Sequence, residues 1–151
     1  MAADGAGCHC DAVDLEVAVD VVIDDGPHAG PGRLTALRLL WRPRDPYAVI
    51  LRLTALPEHP ALPRGEWVIA RDVVRQALLS PAGDGAVRLR PDALRDRVWF
   101  ELDRPGRAAC VSVPRDVVAG FLERTELHVP VGDEAAGPAV DALLAQVFTA
   151  P

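Results

Sequence analysis

Apolar and polar positions alternate along most of this chain. In "AVDLEVAVDVVID", Val13, Leu15, Val17, Val19, Val21 and Ile23 share one parity, and Asp14, Glu16, Asp20 and Asp24 take the other. A period of two over this length predicts a half-buried strand. After the Gly- and Pro-rich "DGPHAGPG", "RLTALRLLWRP" places Leu37, Leu39 and Trp41 inward and Arg38 and Arg42 outward. "YAVILRLTAL" repeats the pattern, with Tyr47, Val49, Leu51 and Leu53 inward and Arg52 and Thr54 outward. The outward arginines can face the outward acids of the first strand, each pair contributing a few tenths of a kcal/mol, up to about 1. Beyond the Pro-rich "PEHPALPRG", "EWVIA" is a fourth strand with apolar residues on both faces, as expected of a strand buried on both sides or meeting a neighbouring subunit.

The period then changes. From Arg71 to about Leu79, Val73, Val74, Ala77 and Leu78 form one helical stripe, which "SPAGDG" ends in a turn. "AVRLRP" and "RVWFELD" are strands, the second with Val98, Phe100 and Leu102 inward and Trp99, Glu101 and Asp103 outward. In "DRPG", Pro105 pre-sets φ and Gly106 supplies the positive φ of a type II turn. "RAACVSV" is the returning strand. A second helix starts at Pro114 and runs to about Arg124, with Val117, Val118, Phe121 and Leu122 on its stripe. After the loop "VPVGDEAAG", Val140, Leu143, Leu144, Val147 and Phe148 predict a last helix over 138–148. The expected fold is α+β: two antiparallel β-meanders in the order four strands, helix, three strands, helix, helix. Residues 1–11, small and aperiodic, read as a disordered tail, and 12–149 as a single domain.

The tetrapeptide "RDVV" opens both of the first two helices, at Arg71 and again at Arg115. Asp72 and Asp116 fall at the cap or first turn, where the helix dipole favours an anion, and the two valines begin the buried stripe. The repeat therefore reads as one strand-to-helix junction used twice, with Asp72 and Asp116 as structural helix-start residues.

Half of the 151 residues are hydrophobic, enough for a core without disulfides or metals, and a quarter are charged. All 16 basic residues are Arg, a coding bias of a GC-rich genome. The net charge of −6 argues against nucleic acid, whose phosphates call for a basic stripe. With neither a secretory leader nor a membrane-length apolar run, the expected location is cytoplasmic, without membrane insertion and with reduced thiols.

Chemistry-bearing clusters are few. Cys8, His9 and Cys10 are the candidate metal ligands, but they lack the second paired motif of a structural zinc site. Ser80 and Ser112 lie outside any nucleophile elbow, and His28, His59 and His128 are scattered singly. "GDG" at 83–85 is a turn rather than a phosphate loop. No catalytic residue and no cofactor is expected. The aromatics fall mostly on inward faces; Trp99 is outward among acids and suits a protein contact, and Trp67 joins it as an interface candidate.

Four segments in order carry a resemblance: "DPYAVILRLTA" (45–55), "EWVIARDVVRQAL" (66–78), "GDGAVRLRP" (83–91) and "GFLERTELHVPVGDE" (120–134). Together they resemble the SsgA-like sporulation and cell-division proteins of actinobacteria, over about residues 13–148. The resemblance implies a non-enzymatic adaptor in septum-site selection, acting at division septa through protein contacts, with recruitment of the tubulin-like protein FtsZ in one branch of the family. It also implies a Whirly-like arrangement of two sheets backed by helices and a homo-oligomer, a trimer in at least one member. The fold analogy gives the alternative of a single-stranded nucleic-acid-binding protein. The chain departs from the family pattern at Ala77, where Gly is expected, and in the tail bearing Cys8, His9 and Cys10.

Overall fold

The computed structural model describes residues 12–23, 33–54, 65–104 and 107–134. The tail with Cys8, His9 and Cys10, the turn residues 105–106 and the expected helix over 138–148 lie outside these. Seven strands and two helices follow in the order β1 (Val13–Ile23), β2 (Arg33–Arg42), β3 (Asp45–Thr54), β4 (Gly65–Ala70), α1 (Arg71–Gln76), β5 (Val87–Asp92), β6 (Arg97–Arg104), β7 (Arg107–Pro114) and α2 (Arg115–His128).

Every pairing is antiparallel, and the spatial order is β4-β3-β2-β1-β7-β6-β5. The two meanders are joined by β1, which pairs with β2 from Val13 to Val21 and with β7 only from Asp20 to Ile23. The far end of β1 is thus the seam between a four-stranded and a three-stranded half. Trp67 on β4 donates its indole N–H to the Asp103 carbonyl at the end of β6, 3.1 Å away. Two strands far apart in the ladder meet there, so the halves fold towards one another around a common interior. Leu37, Leu39, Trp41, Val49, Leu51 and Leu53 from one half and Leu89, Val98, Phe100, Leu102, Val111 and Val113 from the other form a single buried cluster. Val74 and Ala77 of α1 and Val118, Phe121 and Leu122 of α2 complete it.

The open edge of β5 is blunted. Ala82 exchanges both backbone hydrogen bonds with Leu89, at 2.9 and 2.8 Å, so Leu89 and its same-parity neighbour Pro91 aim their backbone groups at that edge. Pro91, which has no N–H, is tolerated there. The preceding turn needs Gly83, whose φ is +86° and whose Cβ, if present, would lie 2.6 Å from the Val87 carbonyl oxygen.

Three expectations need correction. Tyr47 points outward and is 48% exposed. The ladder slips between Trp41, opposite Val49, and Arg42, opposite Asp45, leaving residues 46–48 unmatched and breaking the alternation at Tyr47. The Pro46 carbonyl in that excursion accepts the indole N–H of Trp41, at 2.9 Å. Helix α1 ends at Gln76 rather than Leu79, with Ala77 as its C-cap at a φ of −64°, where alanine fits without strain. Helix α2 begins at Arg115, with Pro114 as the N-cap and last strand residue, and continues a turn past Arg124 to His128.

Candidate interaction surface

Strand parity fixes what the RDVV junction does. Trp67 and Ile69 point inward on β4, and the next residue of that parity is Arg71. Val111 and Val113 point inward on β7, and the next is Arg115. In both copies the arginine is carried inward and the aspartate outward. Arg71 is 1% exposed. Its guanidinium donates to the Val129 carbonyl at 2.9 Å and to Thr125 Oγ1 at 3.4 Å, both at the C-terminal end of α2, and forms an ion pair with Glu134. It also lies 5.5 Å from the ring centroid of fully buried Trp41, against which His128 stacks at 6.1 Å. Arg115 makes the reciprocal contact, donating from Nε to the Leu78 carbonyl just past α1, at 3.1 Å. Each helix thus opens with an arginine that holds the far end of the other, and Arg75 adds an ion pair to Glu126 at 2.9 Å. Basic groups at carbonyl-rich helix ends are the favourable placement.

Asp72 and Asp116 lie exposed in the first turns. Asp72 pairs with Arg75 one turn on, and Asp116 accepts the Val117 backbone N–H at 2.9 Å. Neither caps its helix with a side-chain bond; Ala70 and Pro114 occupy the N-cap positions.

The outer faces of the two halves differ. On the three-stranded half, Arg88 and Arg90 meet Glu101 at 3.4 and 3.0 Å, and Arg88 also approaches Asp103 at 3.6 Å. Trp99 sits half-buried in this lattice, with the Arg90 guanidinium 5.3 Å from its ring centroid and its N–H donated to Asp92 at 3.3 Å. That hydrogen bond holds the Asp92 carboxyl below its ordinary range. Ser112 is covered by Arg97, which donates to its hydroxyl and, at 2.8 Å, to its carbonyl. Cys110 is half-buried on the same face, and burial raises its thiol above its ordinary value, away from the reactive thiolate. The metal expectation on Cys8, His9 and Cys10 falls outside the described residues, among which no metal-ligand cluster forms.

On the four-stranded half, Asp14 pairs with Arg38 and Glu66 with Arg52, at 2.7 Å in the second pair. Arg38 lies opposite Glu16 in register but reaches diagonally to Asp14; the bond lowers the Asp14 carboxyl and raises the Arg38 guanidinium. Next to this ion-pair row the face turns apolar. Leu40, Ile50 and Val68 lie side by side across β2, β3 and β4, and Ala48 lies opposite Ala70 in the adjoining row. Val68 is 63% exposed, while Ile50 is half-buried and Leu40 buried. Trp67, offered by the sequence as an interface residue, points the other way into the core, and Val68 carries the outward apolar surface of β4. Sequence reasoning missed Arg71, Glu134 and this stripe. Parity counting on β4 would have marked Arg71 as inward, but which rows align across strands is set by register.

The family model for the Streptomyces sporulation and cell division protein SsgA matches residues 35–134, which contain the whole clasp from Arg71 to Glu134. The chain belongs to the SsgA family. It is 33% identical over 142 residues to the sporulation-specific cell division protein SsgB of Kineococcus radiotolerans, covering 89% of this chain and 81% of that one. It is 31% identical over 137 residues to SsgB of Frankia casuarinae, covering 89% and 90%. A solved SsgB structure, from work relating SsgB mutations to longitudinal cell division during sporulation of Streptomyces coelicolor, superimposes with a TM-score of 0.67 at 28% identity, covering 82% of this chain and 92% of that one. An SsgA-like protein from Thermobifida fusca shares the fold, with a TM-score of 0.70 at 23% identity and 97% and 99% coverage. The family places this SsgA-like chain among sporulation-specific cell division proteins. The nucleic-acid alternative gains nothing from these relatives, and Arg38, Arg52, Arg88 and Arg90 on the outer faces are already matched by carboxylates. No helix among the described residues is long and apolar enough to cross a membrane.

Proposed function

We propose that this protein is a non-enzymatic adaptor of septum-site selection during sporulation, acting at the septum as a homo-oligomer and recruiting FtsZ through direct protein contact. The observation that carries this reading is the near full-length likeness to sporulation-specific cell division proteins, 33% identical across 89% of the chain. The surface chemistry supports it: Arg71 is locked into a structural ion pair, and the outer faces offer an ion-pair lattice and the exposed side chain of Val68, both suited to a protein partner.

Co-sedimentation with polymerised FtsZ from the same organism tests the recruitment, with light scattering on the input to fix the oligomer, for which a trimer is expected. Pelleting with filaments supports the reading; protein left entirely in the supernatant removes direct recruitment. Trp99 is the contact residue we assign on the ion-pair face. Trp99→Ala should lower the scattering mass or the pelleted fraction while the circular dichroism stays native; unchanged mass and pelleting would take Trp99 out of the interface.

A further inference from the structure

Helix α2 meets the shared interior by one side only. Val118, Phe121, Leu122 and Thr125 are buried, and the opposite side carries Asp116, Gly120, Glu123, Arg124 and Leu127. Gly120 sits in mid-helix without a positive φ, and among the described residues a Cβ built on it would meet nothing within 4 Å. Neither backbone geometry nor packing inside the described chain therefore asks for glycine there, although glycine weakens a helix relative to alanine. A bare backbone on an outward helix face is what close approach by a second backbone requires.

The charges around Gly120 are self-complementary. Asp116 precedes it by one helical step of i,i+4 and Arg124 follows it by another, so the three form one row along the helix surface. Asp116 and Arg124 lie about 12 Å apart along the axis, too far to pair within the helix, and neither has an ion-pair partner among the described residues. Rows of this spacing set the commonest helix crossing, about 50°. Two copies of α2 that cross antiparallel at Gly120 in this class run their rows side by side, with Asp116 of each beside Arg124 of the other. The two Glu123 side chains flank the crossing at its rim, where water screens them. The ends of the helix match as well. Leu127 and Val131 are well exposed at its C-terminal end, and Leu79 and Leu94 at its start. There the Arg115 N–H bonds Asp96 O of the β5–β6 turn at 2.9 Å, and the Arg115 side chain bonds Leu78 O. An antiparallel second copy brings the apolar end of each α2 to the apolar start of the other.

We propose that the outer face of α2 is a two-fold contact between copies of this chain, crossing antiparallel at Gly120 and closed by two reciprocal Asp116–Arg124 ion pairs. An unrelated partner has no need of opposite charges placed symmetrically about the glycine, whereas a second copy meets them by symmetry alone. Such a contact pairs one patch with itself. It is therefore distinct from the head-to-tail contact that closes a trimer, and it joins two of whatever assembly the chain otherwise forms. The proposal does not rest on the division role, and it stands or falls separately from FtsZ pelleting and from the test on Trp99.

The test is light scattering on the full chain at concentrations where the native mass has reached its plateau. Asp116→Arg and Arg124→Asp, both at exposed side chains, should each halve that mass while the circular dichroism stays native. The double variant exchanges the two charges and should restore the native mass. Single variants with the native mass, or a double variant that stays at half, would overturn the proposal. Disulfide trapping gives a second reading, with Cys8, Cys10 and Cys110 changed to Ser. Helix axes about 8–10 Å apart put the two facing Gly120 Cα atoms about 4–5 Å apart, within reach of a disulfide. Gly120→Cys should therefore oxidise to a linked pair of chains at twice the chain mass. Leu94→Cys in the same background should not, although Leu94 is 99% exposed, because the two β5–β6 turns lie at opposite ends of the crossed helices. Equal linking at the two positions would mean random collision, and no link at Gly120→Cys would mean no close approach; either overturns the contact.

Discussion

Arg71 concentrates more of this fold's polar bonding than any other described side chain. A guanidinium with almost no solvent contact has to recover its lost hydration from fixed partners. It finds them in Val129 O, Thr125 Oγ1 and Glu134, with the Trp41 ring alongside. Arg71→Met should lower the unfolding free energy by about 3 kcal/mol, because it strands the Val129 carbonyl and the Glu134 carboxylate together. Urea titration would measure this, and a loss below about 1 kcal/mol would mean the end of α2 is held by packing alone. Glu134 makes the same clasp sensitive to acid. Arg71 holds its carboxyl below the ordinary range, so the unfolded chain takes up this proton more readily than the folded one. The contribution is complete above the unfolded value of about 4.3 and declines as pH falls through the depressed folded value. Between pH 7 and pH 3 the urea midpoint of Glu134→Gln should therefore fall less than that of the native chain. Asp14 and Asp92, also lowered, keep a residual acid limb in both. Gly83 poses a backbone constraint instead. Gly83→Ala should cost about 1–2 kcal/mol, since it adds a Cβ at positive φ against the Val87 carbonyl.

At the scale of elements, the duplicated RDVV junction gains a mechanical meaning. A strand that ends on an inward arginine and turns at once into a helix leaves that arginine buried at the helix start, where it can reach a neighbouring helix. Two such junctions facing each other produce the exchange of Arg71 to Val129 O and Arg115 to Leu78 O. Arg115 is only half-buried, and it holds the end of α1 through a 3.1 Å bond to Leu78 O. Arg115→Ala should therefore destabilise by about 1 kcal/mol, clearly less than Arg71→Met; equal losses would contradict the asymmetry in burial. The strands were legible in the sequence because one parity of each run, such as Val13, Leu15, Val17 and Val19 or Val98, Phe100 and Leu102, is apolar throughout, and that parity is set by local geometry. Tyr47 was misjudged because a register slip at Trp41/Arg42 depends on the partner strand, which no single strand reports. Trp67 was offered as a contact residue because "EWVIA" is apolar on both faces, but it lies on the inward face with Ile69. The Arg71–Glu134 pair joins residues far apart in sequence through the packing of α1 against α2, and neither the charge pattern nor the spacing of either segment encodes that meeting.

On the scale of the whole molecule, two meanders share one interior. Their ladder is continuous only through the far end of β1, a seam of four residue pairs from Asp20–Ser112 to Ile23–Ala109. So short a seam would let two independently stable halves unfold separately. The side chains argue otherwise, because Trp41, Leu51 and Phe100 belong to one buried cluster that both helices also enter. Neither half closes over its inward face without the other, and an unsupported antiparallel sheet with a bare apolar face is not stable in water. Trp67 strengthens the closure by reaching from β4 to Asp103 O on β6. Unfolding should accordingly be a single cooperative transition. The tryptophans make this measurable: a chain retaining only Trp41 reports the four-stranded half, and one retaining only Trp99 reports the three-stranded half. In each variant the fluorescence midpoint should coincide with the midpoint from far-ultraviolet circular dichroism on the same sample. In the otherwise native chain, Trp67→Phe should shift the circular-dichroism midpoint to lower urea by an amount equivalent to about 1–2 kcal/mol, the cost of leaving the Asp103 carbonyl without its donor. Separate midpoints in either single-tryptophan chain would mean that the halves are domains in contact rather than one folding unit.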